Sequence, residues 1–373
     1  MASGNYQICK RCVMDTSDPQ IVFDELGICN HCKAALQKLE NYWFPGKVGE
    51  KLLEQASAEI RASAKNREYD CIIGVSGGVD SSYLLYLAKE KMQLNPLVVH
   101  VDAGWNSEIA VKNIENLVKK LGLELYTCVV DWMDMKDVQL AYLKSSLANQ
   151  DVPQDHAFFA KLYEFAMSNR ISYVLTGSNL TSESILPSSW GYDSMDAVQL
   201  KHIHKVFGKR KLRNYPIIPF WKYKIYYPYI KKMKIVSPLN WIDYDKNKAI
   251  EFLKDNYGWR YYGGKHHESR WTKFFQAYYL PEVFSFDKRR AHLSSLIVAG
   301  QMDREAALRE LEQPLYDPHE LEEDKRYIAK KLGLSSEEFD AIVKLPNKTY
   351  LDYPNHQKYQ RFFSTLKSIV KKG

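Results

Sequence analysis

Residues 71–82 read Cys71-Ile72-Ile73-Gly74-Val75-Ser76-Gly77-Gly78-Val79-Asp80-Ser81-Ser82. The run opens as a short apolar, β-branched strand and passes through a Gly-Gly turn into a helix predicted over 81–91. Two adjacent glycines let the backbone turn tightly and aim successive N–H groups inward, which makes an anion-binding nest. The helix that follows points its free N–H groups and the positive end of its dipole at the same place. Ser76, Ser81 and Ser82 add hydroxyl donors, and Asp80 is a carboxylate able to hold a divalent cation on phosphates. An ordinary strand–turn–helix would need only Asp80 or Ser81 as an N-cap. The full run carries more than a turn requires.

Working outward, Leu97–Val101 predicts a second strand, 109–121 a helix, Leu123–Val130 a third strand and Tyr173–Thr176 a fourth. Continuous apolar strands alternating with helices require a parallel sheet covered on both faces. The expected fold is therefore α/β, a doubly wound parallel sheet over residues 69–240, with ligands at the carboxyl ends of its strands. Beyond Asp243 the pattern turns helical, with helices predicted over 245–256, 268–279, 287–299, 303–312, 318–333, 335–344 and 356–371. Asp303 and Ser335 open capped helices there. This helical region, 241–373, is expected to serve substrate or partner. On the amino-terminal side, 46–68 reads as a linker whose helix, 47–65, has little to mark it as core.

The first 45 residues form a separate module. Four of the six cysteines lie there, as Cys9-x2-Cys12 and Cys29-x2-Cys32 with sixteen residues between the pairs. Two knuckles each offering two thiolates complete a tetrahedral Zn²⁺ site with no open position, so the metal is expected to be structural. Gly27 supplies the positive φ that a tight knuckle turn needs. His31 is the nearby substitute ligand, and a redox role for one pair is the alternative. Cys71 and Cys128 sit inside apolar strands as small buried residues.

With 45% apolar and 26% charged residues, the chain has the composition of a globular protein, not a disordered one. No apolar run approaches the roughly 18 residues of a membrane span, so membrane insertion is not expected. Met-Ala-Ser-Gly-Asn-Tyr-Gln at the start has neither part of a secretory signal, which makes the expected location cytoplasmic. Lys+Arg exceed Asp+Glu by 52 − 45 = 7, too mild an excess to identify a nucleic-acid binder. The stretch Lys201–Lys234 holds eleven basic residues and no acid, mixed with Tyr215, Phe220, Trp221, Tyr223, Tyr226, Tyr227 and Tyr229. It suits either a solvated structural surface or one that faces phosphates or a partner.

A last cluster follows a Gly-Gly bend: Gly263-Gly264-Lys265-His266-His267-Glu268-Ser269-Arg270, then Phe274-Phe275-Gln276 and Asp287-Lys288-Arg289-Arg290-Ala291-His292. Local spacing alone fits a solvated helix start as well as an anion pocket.

The 76–82 run resembles the pyrophosphate loop of the PP-loop, or adenine-nucleotide α-hydrolase, superfamily. It is not a Walker A loop: the nearest candidate, Gly258 to Gly264-Lys265, is one residue too long and is followed by His266. With the cysteine knuckles and the 263–292 stretch, the whole chain is similar to the N-acetyl sugar amidotransferases of WbpG and PseA type. The resemblance implies that ATP is split to AMP and pyrophosphate. Ser76, Gly77, Gly78, Val79, Asp80, Ser81 and Ser82 would hold the phosphates, and Val101, Asp102, Thr176 and Gly177 the nucleoside. Asp80 would hold Mg²⁺, and Lys265, His266, His267 and Arg270 would close over the loop as further catalytic groups. The implied reaction turns the acetamido group of a nucleotide-linked sugar into an acetamidino group for O-antigen lipopolysaccharide or flagellin glycan. Ammonia would come from a separate glutaminase and barrel subunit resembling the imidazole glycerol phosphate synthase pair. Rival readings are a tRNA-modifying PP-loop enzyme and a non-catalytic zinc-ribbon scaffold, although nucleic acid is not the expected partner.

Overall fold

In a computed structural model, residues 6–263 and 268–359 are described. Five parallel strands form one sheet: β1 Cys71–Gly74, β2 Pro96–Asp102, β3 Leu125–Val129, β4 Tyr173–Leu175 and β5 Lys234–Val236. Their spatial order is β3-β2-β1-β4-β5, with Ile73 aligned to Val98 on one side and to Leu175 on the other. Chain order reverses at β1, so the crevice between the ends of β1 and β4 is the switch point where such sheets bind ligands. Both faces are covered over the central strands. The edges are not: Tyr126 and Val129 on β3 and Ile235 on β5 are more than half exposed. β5 escapes sequence reading because Lys234-Ile235-Val236 is short and buried in the basic stretch.

The helices are α1 Asn30–Tyr42, α2 Lys47–Ser63, α3 Val79–Tyr86, α4 Glu108–Leu121, α5 Trp132–Lys144, α6 Val152–Ser168, α7 Leu180–Glu183 and α8 Ala197–Phe207. They continue as α9 Lys246–Tyr257, α10 Arg270–Phe274, α11 Lys288–Val298, α12 Arg304–Leu311, α13 Pro318–Leu332 and α14 Ser336–Val343. The helix expected over 268–279 is a short α10 that widens into a π-helical segment, Phe275–Phe284, where Pro281 lies inside the turn. Of the helix expected over 356–371, residues from 360 lie outside the described residues.

Two apolar cores flank the sheet. One packs Ile73, Val98, Leu84, Leu117, Leu253 and Trp259 together, which joins β1 and β2 to α3, α4 and α9. The other packs Ile72, Val99, Val138 and Ala157 against Trp271, Phe274 and Phe275, which joins the opposite face to α5, α6 and α10. The α/β core thus runs on past residue 240 through α9 to Trp259. The linker helix α2 also joins it, contrary to expectation: Ile60 is fully buried, and Gly49 lies so close to the Trp241 carbonyl that a Cβ would sit 1.9 Å from its oxygen.

Candidate active site

The loop after β1 has the form its glycines demand. Gly77 takes φ +82° with a Cβ position 2.5 Å from the Ala110 carbonyl oxygen, so a side chain there is excluded twice over. Trp259 Nε1 donates to the Gly77 carbonyl at 3.2 Å from behind. Ser76 and Ser81 stitch the turn: the Ser76 amide donates to Ser81 Oγ at 3.4 Å and Gly78 N–H to Ser76 Oγ at 3.2 Å. Gly177, after β4, lies 3.0 Å by its Cβ position from the Asp80 and Ser81 backbone, which seats the two loops against each other.

A cavity of about 330 Å³ opens there. Ser76, Gly78, Val79, Asp80, Ser81, Val101, Thr176 and Gly177, all named from the sequence as phosphate or nucleoside residues, line it. Gly77, Ser82 and Asp102 do not. Gly77 turns its carbonyl away, and Ser82 is buried at 2% exposure. Asp102 accepts from Gly104 N–H at 2.7 Å and Asn106 Nδ2 at 3.0 Å, so its carboxylate shapes the loop after β2. His100 is locked in the wall between the Val75 carbonyl, 2.9 Å from Nδ1, and the Asn106 amide, 3.1 Å from Nε2. Asp80 accepts a 2.5 Å hydrogen bond from the Tyr244 hydroxyl, whose pKa burial pushes well up.

Lys265, His266 and His267 lie outside the described residues. The chain on either side of them does reach the loop. Tyr262 O–H accepts from Val79 N–H at 3.3 Å, at the α3 N-terminus. Glu268 accepts from Ser76 Oγ at 3.4 Å, and its backbone carbonyl takes the Ser107 N–H at 2.8 Å. Arg270, expected to meet phosphates, is turned elsewhere. Its guanidinium pairs with Asp324, which is 2% exposed, and stacks 4.0 Å from the Tyr327 ring centre, while its backbone N–H donates to the Trp105 carbonyl. Arg270 therefore ties this strap to α13, and Ser269 and Thr272 face the cavity in its place.

The sequence reading also missed a polar group on α6. Asp151, Gln154 and Asp155 line the cavity, with Thr272 Oγ1 and Gln154 Nε2 both donating to Asp151 Oδ1 at 3.0 Å. Asp155 has its pKa raised to about 7, first by burial and then by the Asp151 charge, against an opposing pull from Lys288. Little in the local spacing of 151–155 marks it, because Ser269, Thr272 and Lys288, which complete its surroundings, lie more than a hundred positions away.

A second cavity, about 700 Å³, adjoins the first: Glu183 and Lys246 belong to both walls. Its far side is built by Gln276, Asp287, Lys288, Arg289 and His292. Arg289 is engaged by Asp287 and by the Glu310 and Gln313 carbonyls, and His292 Nδ1 lies 3.0 Å from the Ser182 carbonyl.

Behind that wall sits the cysteine module. The four Sγ atoms of Cys9, Cys12, Cys29 and Cys32 lie within 4.8 Å of one another, all fully buried. Cys9–Cys32 at 3.9 Å and Cys12–Cys29 at 3.7 Å match the sulfur–sulfur edge of about 3.8 Å that Zn–S bonds of about 2.3 Å impose on a tetrahedron. The donor set fits a closed tetrahedral metal. Gly27 has φ +76°, as its turn requires. His31 is no ligand here; its Nε2 bonds Asp18 at 2.6 Å. Arg304 grips the Cys9 and Cys12 carbonyls, Ser294 Oγ accepts from Val13 N–H and Arg290 pairs with Asp15, so the module is clamped onto α11 and α12.

The basic stretch is organised by two carboxylates of α5. Asp134 accepts from the amides of Arg213, Asn214 and Tyr215, and Asp137 from those of Lys209 and Arg210 and from His204. Lys222, Tyr226, Tyr227 and Lys231 line a groove of about 640 Å³ with Glu164 and Arg170, sharing no residue with the phosphate-loop cavity. Among the described residues no helix is long and apolar enough to cross a membrane.

The sheet, the loop and the cavity at the switch point define a PP-loop ATP-using protein. Two family models agree: NAD synthase over residues 53–219, and the carboxyl-terminal domain of WbpG-like LPS biosynthesis proteins over 268–367. Residues 53–219 are thus similar to the NAD synthase family and residues 268–367 to the WbpG-like carboxyl-terminal domain. An uncharacterized protein of Methanocaldococcus jannaschii, MJ1599, is 31% identical over 128 residues, 34% of this chain. The match covers 44% of that relative, so the chain spans less than half of its length. Similar solved structures include the NH3-dependent NAD synthetase of Campylobacter jejuni, with TM-score 0.31 and 17% identity over 77% of this chain and 97% of that one. The U34-tRNA thiolase NcsA of Methanococcus maripaludis has TM-score 0.34 and 14% identity over 84% and 90%.

Proposed function

We propose that the protein is an ATP-dependent amidotransferase that converts the acetamido group of a nucleotide-linked sugar into an acetamidino group. The observation that carries this is the pair of joined cavities. One is the phosphate-loop site; the other is walled by the WbpG-like segment and meets the first at Glu183 and Lys246. ATP in the first and the sugar in the second would bring the α-phosphate to the amide at their junction.

An amide carbonyl is a poor electrophile, and its oxygen is a poor leaving group. Transfer of AMP to that oxygen, with pyrophosphate expelled, converts it into a good one. Ammonia then adds, and AMP leaves with the C–O bonding pair. The loop amides and the α3 N-terminus stabilise charge on the departing pyrophosphate. Mg²⁺, which PP-loop chemistry implies, would be held by Asp80 and would neutralise phosphate charge. Zn²⁺ would occupy the four thiolates and act on structure alone.

Ammonia supply points to a partner glutaminase with a barrel subunit. Four cysteines are gathered in the knuckles, and burial pushes the Cys71 and Cys128 thiols up, away from the thiolate a glutaminase nucleophile needs. Incubation with ATP, Mg²⁺, ammonium chloride and a panel of nucleotide-linked N-acetyl sugars should yield AMP and a product with O replaced by NH, read by mass spectrometry. AMP transfer to tRNA, with every sugar inert, would overturn the reading in favour of tRNA modification.

A further inference from the structure

Ammonia adds to carbon as a neutral molecule and leaves the adduct cationic, so some group must accept a proton before AMP can depart cleanly. We propose that Asp155 is that catalytic base, an inference that rests on the amidotransferase reading. Its place in the fold carries the argument. Asp155 stands in the first turn of α6, on the wall of the cavity that also contains the phosphate loop. Lys288, on the wall of the adjoining cavity, is the cation that opposes the rise in the Asp155 pKa.

The neighbouring carboxylate is already committed. Asp151 holds the strap through Thr272 Oγ1 and the Gln154 amide, each at 3.0 Å. Among the described residues no hydrogen bond reaches the Asp155 carboxylate. One acid therefore positions the wall and the other is available to the substrate. A half-buried carboxylate facing a second negative charge is costly to keep, unless it is kept for chemistry.

The step balances. The ammonia lone pair forms the C–N bond to the adenylated carbon, one N–H proton passes to an Asp155 oxygen, and the C–O bond to AMP breaks with its electron pair on AMP. Asp155 then passes that same proton to solvent, which restores the base, and the product leaves as the amidinium ion. A carboxylate whose pKa lies near 7 is matched to taking a proton from a cationic adduct at neutral pH.

The test uses the full-length protein with ATP, Mg²⁺, ammonium chloride and the reacting sugar of the panel. Asp155→Asn should keep amide-dependent ATP–pyrophosphate exchange within about twofold and lose amidine formation by about 10²–10⁴-fold. Formate added to Asp155→Ala should restore part of the amidine rate. Loss of exchange and amidine together, or unchanged amidine formation, would overturn the assignment. Should the wild type exchange pyrophosphate yet form no amidine at any ammonium concentration, the amidotransferase reading falls first, and the assignment with it.

A second readout needs no substrate. The folded pKa near 7 exceeds the unfolded value of about 3.9, so the native state holds its proton longer and stability is lost as pH rises between those values. The groups facing Asp155 are Asp151 and Lys288, with the buried Tyr215 feeling its charge in return. Asp155→Asn removes the penalty, so its melting temperature should exceed that of the wild type by a margin that grows from about pH 4 to about pH 7 and then stays level. Equal melting temperatures across that range would show an ordinary solvated carboxylate and refute the proposal.

Discussion

The cysteine knuckles and the phosphate loop are both tight clusters of polar atoms on turns, yet they are built to opposite ends. In the knuckles every donor faces inward: four buried sulfurs within 4.8 Å, with backbone amides of Cys12, Cys29 and Cys32 directed onto sulfur. In the loop Ser76, Ser81 and the amide of Val79 face a cavity; besides the bonds that stitch the turn, Ser76 Oγ donates to Glu268 at 3.4 Å and Val79 N–H to the Tyr262 oxygen at 3.3 Å. A donor set closed on itself holds a fold together, whereas one open to a cavity waits for a ligand's charge. Perturbing the first should change stability, and perturbing the second should change rate.

Within these two clusters Asp80 gives the largest effect and already blurs that division. Asp80→Ala should lower AMP formation by about 10²–10³-fold, since it removes charge stabilisation where pyrophosphate departs. It should also cost about 1–3 kcal/mol of stability, because the buried Tyr244 hydroxyl loses its acceptor. Asp80→Asn, which leaves an acceptor for Tyr244, should keep most of the stability while losing the rate. Comparing melting temperatures and AMP release for the two variants separates the roles. Near-normal AMP release from Asp80→Ala would reduce Asp80 to a structural acceptor.

Cys12→Ser tests the other half. It should release the metal, measured by elemental analysis, and destabilise the module by several kcal/mol. The clamp of Arg304, Ser294 and Arg290 onto the module predicts a specific consequence for function. α11 also carries Lys288 and His292, which line the second cavity, so on the proposed amidotransferase reading the KM for the sugar should rise several-fold with the KM for ATP little changed. Equal changes in both would mean the damage spreads through the whole fold.

How legible these regions were depends on how local their geometry is. The knuckle spacing and the Ser-Gly-Gly-Val-Asp-Ser-Ser run declare themselves because each is a turn whose atoms all come from neighbouring residues. The central strands themselves are legible for the same reason, as continuous apolar runs, although their order is not. What stayed hidden is assembled from distant segments: Asp155 beside Lys288, Tyr262 on the α3 N-terminus, Glu268 on Ser76. Short β5 was hidden for lack of length, since three residues carry no period. Arg270 misled because a basic residue after a Gly-Gly bend reads as a phosphate ligand until its partner, Asp324, is known.

Arg270→Ala sharpens that last point. Removing the guanidinium leaves Asp324 buried with Tyr316 O–H as its donor, but without its cation. Because the Arg270 side chain is 39% exposed and partly screened, the loss should be roughly 1–3 kcal/mol, below the cost of breaking a fully buried pair. The KM for ATP should stay near the wild-type value if the guanidinium only anchors the strap. A fall in AMP formation larger than the fall in folded protein would instead return Arg270 to the phosphates.

The smallest effect belongs farthest from both clusters and sets the baseline for the others. Ser335 opens α14 with a reciprocal capping box: its side chain accepts from Glu338 N–H at 3.1 Å, and Glu338 accepts from Ser335 N–H at 2.8 Å. Ser335→Ala removes one acceptor at an exposed helix start, worth about 1 kcal/mol. α14 buries Phe339 and Val343 in the core shared with α10 and α13, and that packing survives the loss of a cap. The variant should therefore melt a few degrees earlier with AMP formation and metal content both unchanged. A change in AMP formation here would mean that a loss of about 1 kcal/mol anywhere in the carboxyl-terminal helices reaches the cavity. The rate changes expected at Asp80 and Asp155 would then have to be judged against that shift and not against the wild type.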